Sequence, residues 1–141
     1  MTKKNIRKIN HKPTLEAALN ALQINSASVR SDVYYGLSGL SEADLMKFAS
    51  VWQHLPDEQR YRVAIELAEA SESDFELDYR TIGLYLLNDS NPDVRAAAVD
   101  MLWEDETLET MHAFMMLVKR DTDVRVKANA VGASALGRFV L

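Results

Sequence analysis

The stretch Asn91-Pro92-Asp93-Val94-Arg95-Ala96-Ala97-Ala98-Val99-Asp100-Met101-Leu102 decides the fold. Asn91 offers a side-chain acceptor suited to capping a helix. Pro92 follows at the first helical position, where its missing N–H is one the helix leaves unbonded anyway, and Asp93 places negative charge at the positive helix end. Val94, Ala97, Ala98, Met101 and Leu102 then recur at i, i+3, i+4, i+7 and i+8, which is one face of an α-helix. Sliding the sequence by 32 positions without a gap sets Leu86 on Val118, Asp89 on Asp121, Val94 on Val126, Arg95 on Lys127, Ala96 on Ala128, Ala98 on Ala130 and Val99 on Val131. A period in the thirties marks a supersecondary unit that cannot bury its apolar face alone and stacks on its own copy.

Composition agrees with an all-α chain. Of 141 residues 48% are apolar and 26% charged, and only three Pro and five Gly interrupt the helical potential; a chain of this length can bury a real core in one domain. There is no cysteine, which excludes disulfides, thiol catalysis and cysteine-based zinc sites. No apolar run approaches the roughly 20 residues that cross a bilayer, and the first residues are basic without an apolar core, so the expectation is a soluble, cytoplasmic protein with no membrane partner. The net charge of −5 hides an asymmetry: Lys3, Lys4, Arg7, Lys8 and Lys12 make residues 1–12 +5, leaving −10 on residues 13–141. Between residues 66 and 109 thirteen acids face Arg80 and Arg95 alone, a balance that repels a phosphate backbone and disfavours nucleic acid.

Residues 1–12 are expected to form a basic flexible tail. Residues 13–40 supply an N-terminal helix opened by Pro13 and Thr14, carrying Leu15, Ala18, Leu19 and Leu22 and ending near Asn25, then a connector with one short helical turn whose Tyr34 and Tyr35 pack on the first helices. Residues 41–141 divide into three helix pairs, 41–70, 74–103 and 107–141. In the first, Ser41 with Asp44 resembles a capping box, Leu45, Phe48, Ala49, Trp52 and Leu55 form one stripe, and Tyr61, Ala64, Ile65 and Ala68 form the next beyond Pro56. In the second, a polar connector over residues 71–78 holds Phe75 and Leu77, and Tyr79, Ile82 and Leu86 face inward. In the third, Leu108, Met111, Met115 and Val118 are expected inside. A final helix from about Val124 carries small residues, Ala128, Ala130, Gly132, Ala133, Ala135 and Gly137, that admit a close neighbour, before the apolar end Phe139-Val140-Leu141.

The two copies of Asp-x4-Val-[Arg/Lys]-Ala-x-Ala, at Asp89/Val94/Arg95 and Asp121/Val126/Lys127, resemble HEAT repeats, in particular the bacterial type grouped with phycobilisome lyases. Residues 41–141 are similar to the N-terminal region of bacterial HEAT-repeat proteins of unknown function, including the strings YGLSGLS, FELD, WEDE and GRFVL. Residues 1–40 match no repeat, and the 41–70 pair matches at Asp57 and Val63. The resemblance implies a right-handed α-solenoid of stacked helical hairpins, about three pairs plus an N-terminal helix. It implies a structural ladder of turn aspartate and following basic residue, carried here by Asp89, Arg95, Asp121 and Lys127. It also implies a scaffold for protein–protein contacts, with two rarer activities of such repeats beside it, a bilin-lyase-like accessory role and an alkylpurine DNA glycosylase-related role that would need a basic concave face.

Chemistry-bearing motifs are scarce. His11, His54 and His112 are scattered without a second ligand at metal spacing, and neither a G-x-S-x-G elbow nor a Gly-rich phosphate loop is present. The sequence therefore points to no catalytic residue, no metal, no cofactor and no small-molecule substrate. The densest chemical patch is Asp100, Trp103, Glu104, Asp105 and Glu106: an amphipathic ring among acids is a common interface anchor, and these five are the partner-binding candidates. The competing reading has Trp103 packed under the turn while the acids cap the next helix. Met111, Met115 and Met116 beside Phe114 are read as core filling.

Overall fold

The computed structural model describes residues 14–24 and 31–134. Expectations placed on residues 1–13, Asn25 and residues 135–141 lie outside the described residues. The chain is all-helical within them: α1 (Leu15–Gln23), α2 (Ser31–Gly36), α3 (Glu42–Trp52), α4 (Asp57–Ser73), α5 (Arg80–Leu86), α6 (Pro92–Met101), α7 (Leu108–Arg120) and α8 (Val124–Ala133).

The helix starts follow local chemistry. Thr14, Ser41, Asn91, Thr107 and Asp123 each accept a backbone N–H from the first turn, and Pro92 opens α6 behind Asn91. These caps satisfy donors that would otherwise be left to water, worth about 1 kcal/mol each. Every residue of the 94–102 stripe is buried, Val94, Ala97, Ala98 and Met101 in α6 and Leu102 at its C-cap, joined by Val99. Its repeat partner Val126 is buried in α8.

Packing places α6 between α4 and α8, and pairs α5 with α6 and α7 with α8. The three helices α4, α6 and α8 run parallel, because their N-terminal ends are tied to one another and their C-terminal ends meet as well. At the N-terminal ends, Arg60 of α4 reaches the carboxylate of Asp89, just before α6, at 3.2 Å. Arg95 of α6 then grips Asp121, just before α8, with Nε at 2.8 Å and Nη2 at 2.9 Å. This second pair is a two-pronged fork, the strong geometry for guanidinium and carboxylate. The Asp89 side chain is only 6% exposed and that of Asp121 3%, so neither charge could stay without its partner. Each aspartate also accepts the N–H two residues on, Asn91 or Asp123, closing an Asx turn. Trp52 donates its indole N–H to Asp89 at 2.7 Å, tying α3 into the same knot.

Of the expected ladder residues, Arg95 thus meets the Asp121 carboxylate and the Asp89 carbonyl, with one addition. Arg60, absent from the sequence reading, supplies the first rung from the fourth position of α4, the position Arg95 holds in α6 and Lys127 in α8. Lys127 itself acts on Asp121 through its charge.

Two apolar faces are turned from their expected phase. In α4 the inward set is Val63, Ala64, Leu67 and Ala68 with Gln59 and Arg60, and Tyr61 is exposed. The helix is rotated so that Arg60 can reach Asp89 and the Gln59 amide can donate to the Leu22 carbonyl at the end of α1. In α7, Leu108 is 88% exposed and Met115 half exposed, whereas Thr110 and Phe114 are fully buried. The Thr110 hydroxyl donates to Asp105 at 2.6 Å and fixes that rotation. Helix α4 also runs through Ser73, shortening the expected connector. In α8, Ala130 and Ala133 are buried and Ala128 is exposed.

Close approach between α5 and α6 depends on Gly83, where an added Cβ would lie 2.8 Å from a terminal carbon of the buried Leu102 and 2.9 Å from its branch carbon. Gly83→Ala is expected to lower unfolding stability by about 1–3 kcal/mol through overpacking, read as a lower urea midpoint at unchanged slope; an unmoved midpoint would mean that the two helices do not approach so closely. For Asp121, burial raises the carboxyl pKa, but the hydrogen bonds from Arg95 and the Asp123 N–H and the charges of Arg95 and Lys127 outweigh it and hold it below the usual range. Its stabilisation is therefore full above the ordinary carboxylate pKa and lost as pH falls through the depressed value. Asp121→Asn should cost about 3 kcal/mol near neutral pH, a deficit that shrinks in acid; equal loss at every pH would exclude the ion pair as the cause.

Candidate functional site

The C-terminal ends of α4 and α6, opposite the Arg–Asp rungs, border an open cleft of about 890 Å³. Glu72 closes the last turn of α4, Phe75, Leu77 and Asp78 come from the connector, Tyr79 and Arg80 from the start of α5, and Asp100 to Asp105 from the end of α6 and its turn. Five acids, Glu72, Asp78, Asp100, Glu104 and Asp105, thus face one base, Arg80.

The backbone adds to this field. A helix C-terminus carries roughly half a negative charge on its unbonded carbonyls, and neither α4 nor α6 has a basic residue in its last turn. Parallel packing puts both ends at the same place. At this end burial raises the Asp100 carboxyl above the usual range, and the charge of Glu72 adds to the rise.

Two aromatic rings border the acids. Phe75 is 97% exposed, which is uncommon for so large an apolar side chain. Trp103 is 39% exposed, and the edge of its ring lies against Gly132 of α8, where a Cβ would stand 3.3 Å from it. Behind the cleft Tyr79 is buried and donates its hydroxyl to the Tyr34 carbonyl at 2.6 Å, joining α5 to α2; burial pushes its phenol far above the ordinary value, so it stays neutral.

Of the five partner-binding candidates, Asp100, Trp103, Glu104 and Asp105 line this cleft, and Glu106 is not among its lining residues. Asp105 has structural duty: its carboxylate accepts the Thr107 N–H at 3.1 Å and the Thr110 hydroxyl at 2.6 Å, setting the start of α7. The turn geometry divides the patch, Asp105 capping the start of α7 and Asp100 with Glu104 lining the cleft. The sequence reading left out Phe75, Glu72 and Asp78, which chain order separates from Trp103 by a whole helix pair. The signal present was an aromatic in a run otherwise fit only for solvent, SESDFELD.

The acids do not converge as a cation site: among the described residues no three His, Asp or Glu side chains come together to hold a metal. His54 is engaged with the Ser50 carbonyl at 2.8 Å, and His112 lies on the outside of α7. No described helix is long and apolar enough to cross a membrane. Compared with protein-family models, with curated proteins and with solved structures, the chain matches none of them.

An acid kept half-buried at a negative helix end costs stability. Because the Asp100 pKa is raised on folding, its penalty is full above the raised value and vanishes below the ordinary carboxylate pKa. Asp100→Asn is expected to stabilise the fold at neutral pH by roughly 0.5 kcal/mol, the advantage fading in acid, as followed by urea titration over a pH series. A variant less stable than the parent at neutral pH would show that Asp100 serves the fold instead of the cleft.

Proposed function

We propose that the chain is a non-catalytic helical-repeat scaffold that captures a lysine- or arginine-rich segment of a protein partner in the cleft between the C-terminal ends of α4 and α6. In this reading the pairs α3–α4, α5–α6 and α7–α8 are HEAT-type hairpins of a right-handed solenoid, and the parallel row α4, α6, α8 is the row of second helices. The register of the Arg60–Asp89 and Arg95–Asp121 rungs supports it, since each rung joins the fourth residue of one second helix to the turn before the next.

The observation that carries the functional part is Phe75 standing almost wholly in water beside Trp103, within a cleft lined by five acids. A basic side chain brings what this surface lacks. Its cation meets the carboxylates and helix ends, an arginine plane stacks on a ring, and its methylene stem lies along Phe75. The volume is that of sites which hold a few side chains. The same field opposes a phosphate backbone.

A synthetic peptide of about ten residues alternating Lys, Arg and Leu is expected to bind the full chain, and an acidic peptide of equal length is not. Affinity should fall as salt is raised, because the contacts are partly exposed. Phe75→Ala should weaken binding about tenfold, the equivalent of 1.4 kcal/mol, while leaving the urea midpoint unchanged, since so exposed a ring contributes nothing to the core. Titration calorimetry reads both; equal affinity for the two peptides, or indifference to Phe75→Ala, would remove the cleft from consideration.

A further inference from the structure

We infer that the face α8 turns away from α6 is a docking site for a helical hairpin of a second protein, one whose second helix is entered through an Asp-x-Asn or Asp-x-Asp turn.

The row of parallel helices supplies the argument. Arg95 sits on the side of α6 turned toward α8, since it grips Asp121. Val99, one turn on and so on the same side, is fully buried. Position for position, α8 sets Lys127 where α6 has Arg95 and Val131 where α6 has Val99. Val131 is 41% exposed against 0% for Val99, and Val124 is 81% exposed; Ala128 between them is exposed too. Val124, Lys127, Ala128 and Val131 fall at i, i+3, i+4 and i+7, a single helix face. Helix α8 packs on α6 and on its own partner α7, and no described helix follows to lie over this face as α8 lies over that of α6. The contrast extends to the first helices: Leu86 of α5 is sealed, whereas its repeat partner Val118 of α7 is only partly buried.

Lys127 identifies the occupant. Arg60 and Arg95 each reach an aspartate three residues ahead of the next second helix, Asp89 before Pro92 and Asp121 before Val124, and two residues after each aspartate Asn91 or Asp123 caps the helix. Lys127 holds the equivalent position. Among the described residues no carboxylate pairs with it as Asp121 pairs with Arg95, and it acts on Asp121 through its charge without a salt bridge. A partly buried ammonium set among apolar side chains suits a carboxylate that arrives at the head of an apolar helix.

A second copy of this chain does not offer that turn. Asp89 and Asp121 are already paired with Arg60 and Arg95, and the corresponding position ahead of α4, three residues before Asp57, is His54. The start of α4 is engaged as well, Gln59 donating to the Leu22 carbonyl of α1. The occupant is therefore a different protein. Its second helix lies parallel to α8, with the turn aspartate on Lys127 and a small apolar face on Val124, Ala128 and Val131.

The test gives the full chain such a hairpin. A second copy of residues 103–134, the pair that α6 accepts, is appended through a flexible Gly/Ser linker of about ten residues. Expected are protection of the appended copy's backbone amides from hydrogen exchange and a urea slope steeper by about a quarter, in proportion to the surface added. Asp121→Asn in the appended copy, or Lys127→Gln in the parent part, should each lower that protection about tenfold, the size of a hydrogen bond to a charged group. Val131→Lys in the parent part should abolish it. In the unfused chain Val131→Lys should leave both the urea midpoint and the sedimentation coefficient unchanged. An appended copy without protection, or protection indifferent to Lys127→Gln and Asp121→Asn, would overturn the inference. So would a lower midpoint of the unfused chain with Val131→Lys, which would mean that the face is already covered within the molecule. A parent dimer that Val131→Lys dissociates would overturn it in favour of a second copy.

Discussion

Two buried arginine–aspartate contacts set the geometry from which the rest follows. Arg60 with Asp89, and Arg95 with Asp121, join the first turns of α4 and α6 to the turns entering α6 and α8. Carboxylates so shielded from water stabilise the fold only when hydrogen-bonded on most sides, and here backbone N–H groups and the Trp52 indole complete the set. The pairs contribute register more than net energy: apolar faces of Ala and Val can slide, whereas a fork on a carboxylate cannot. With the N-terminal ends held level, small residues at Ala97, Ala98, Ala130 and Ala133 let the helices close along their length.

That parallel alignment has an electrostatic result at the far end. Helices fixed side by side in one direction present like poles together, and antiparallel neighbours cancel them only in part. The carbonyl ends of α4 and α6 and the acids Glu72 and Asp100 converge without a compensating base in either last turn. The anionic cleft is thus a consequence of the same contacts that hold the core.

How much was readable beforehand depended on what set each helix's rotation. For α6 the apolar residues occupy one narrow stripe, so spacing alone fixed the buried face. For α7 they are spread around the helix, as Leu108, Met111, Phe114, Met115, Leu117 and Val118, and the face was decided by a polar contact, Thr110 to Asp105. In α4 the choice fell to Gln59 and Arg60, polar residues that an apolar pattern cannot rank. The five-residue acidic patch was visible as composition, but its division into a capping Asp105 and cleft-facing Asp100 and Glu104 required the turn geometry. Phe75 belongs to the site only because α4 and α6 end together, a relation between residues nearly thirty positions apart.

The two tryptophans stand in opposite surroundings. Trp52 is sealed in the core with its N–H on Asp89, and Trp103 lines the cleft, partly exposed, with a ring edge against Gly132. Excited by ultraviolet light, they form an internal pair of reporters. Collisional quenchers such as acrylamide reach the emission of Trp103 and spare that of Trp52, so the molecule carries, without any added dye, a signal for what covers its acidic end and an invariant reference beside it.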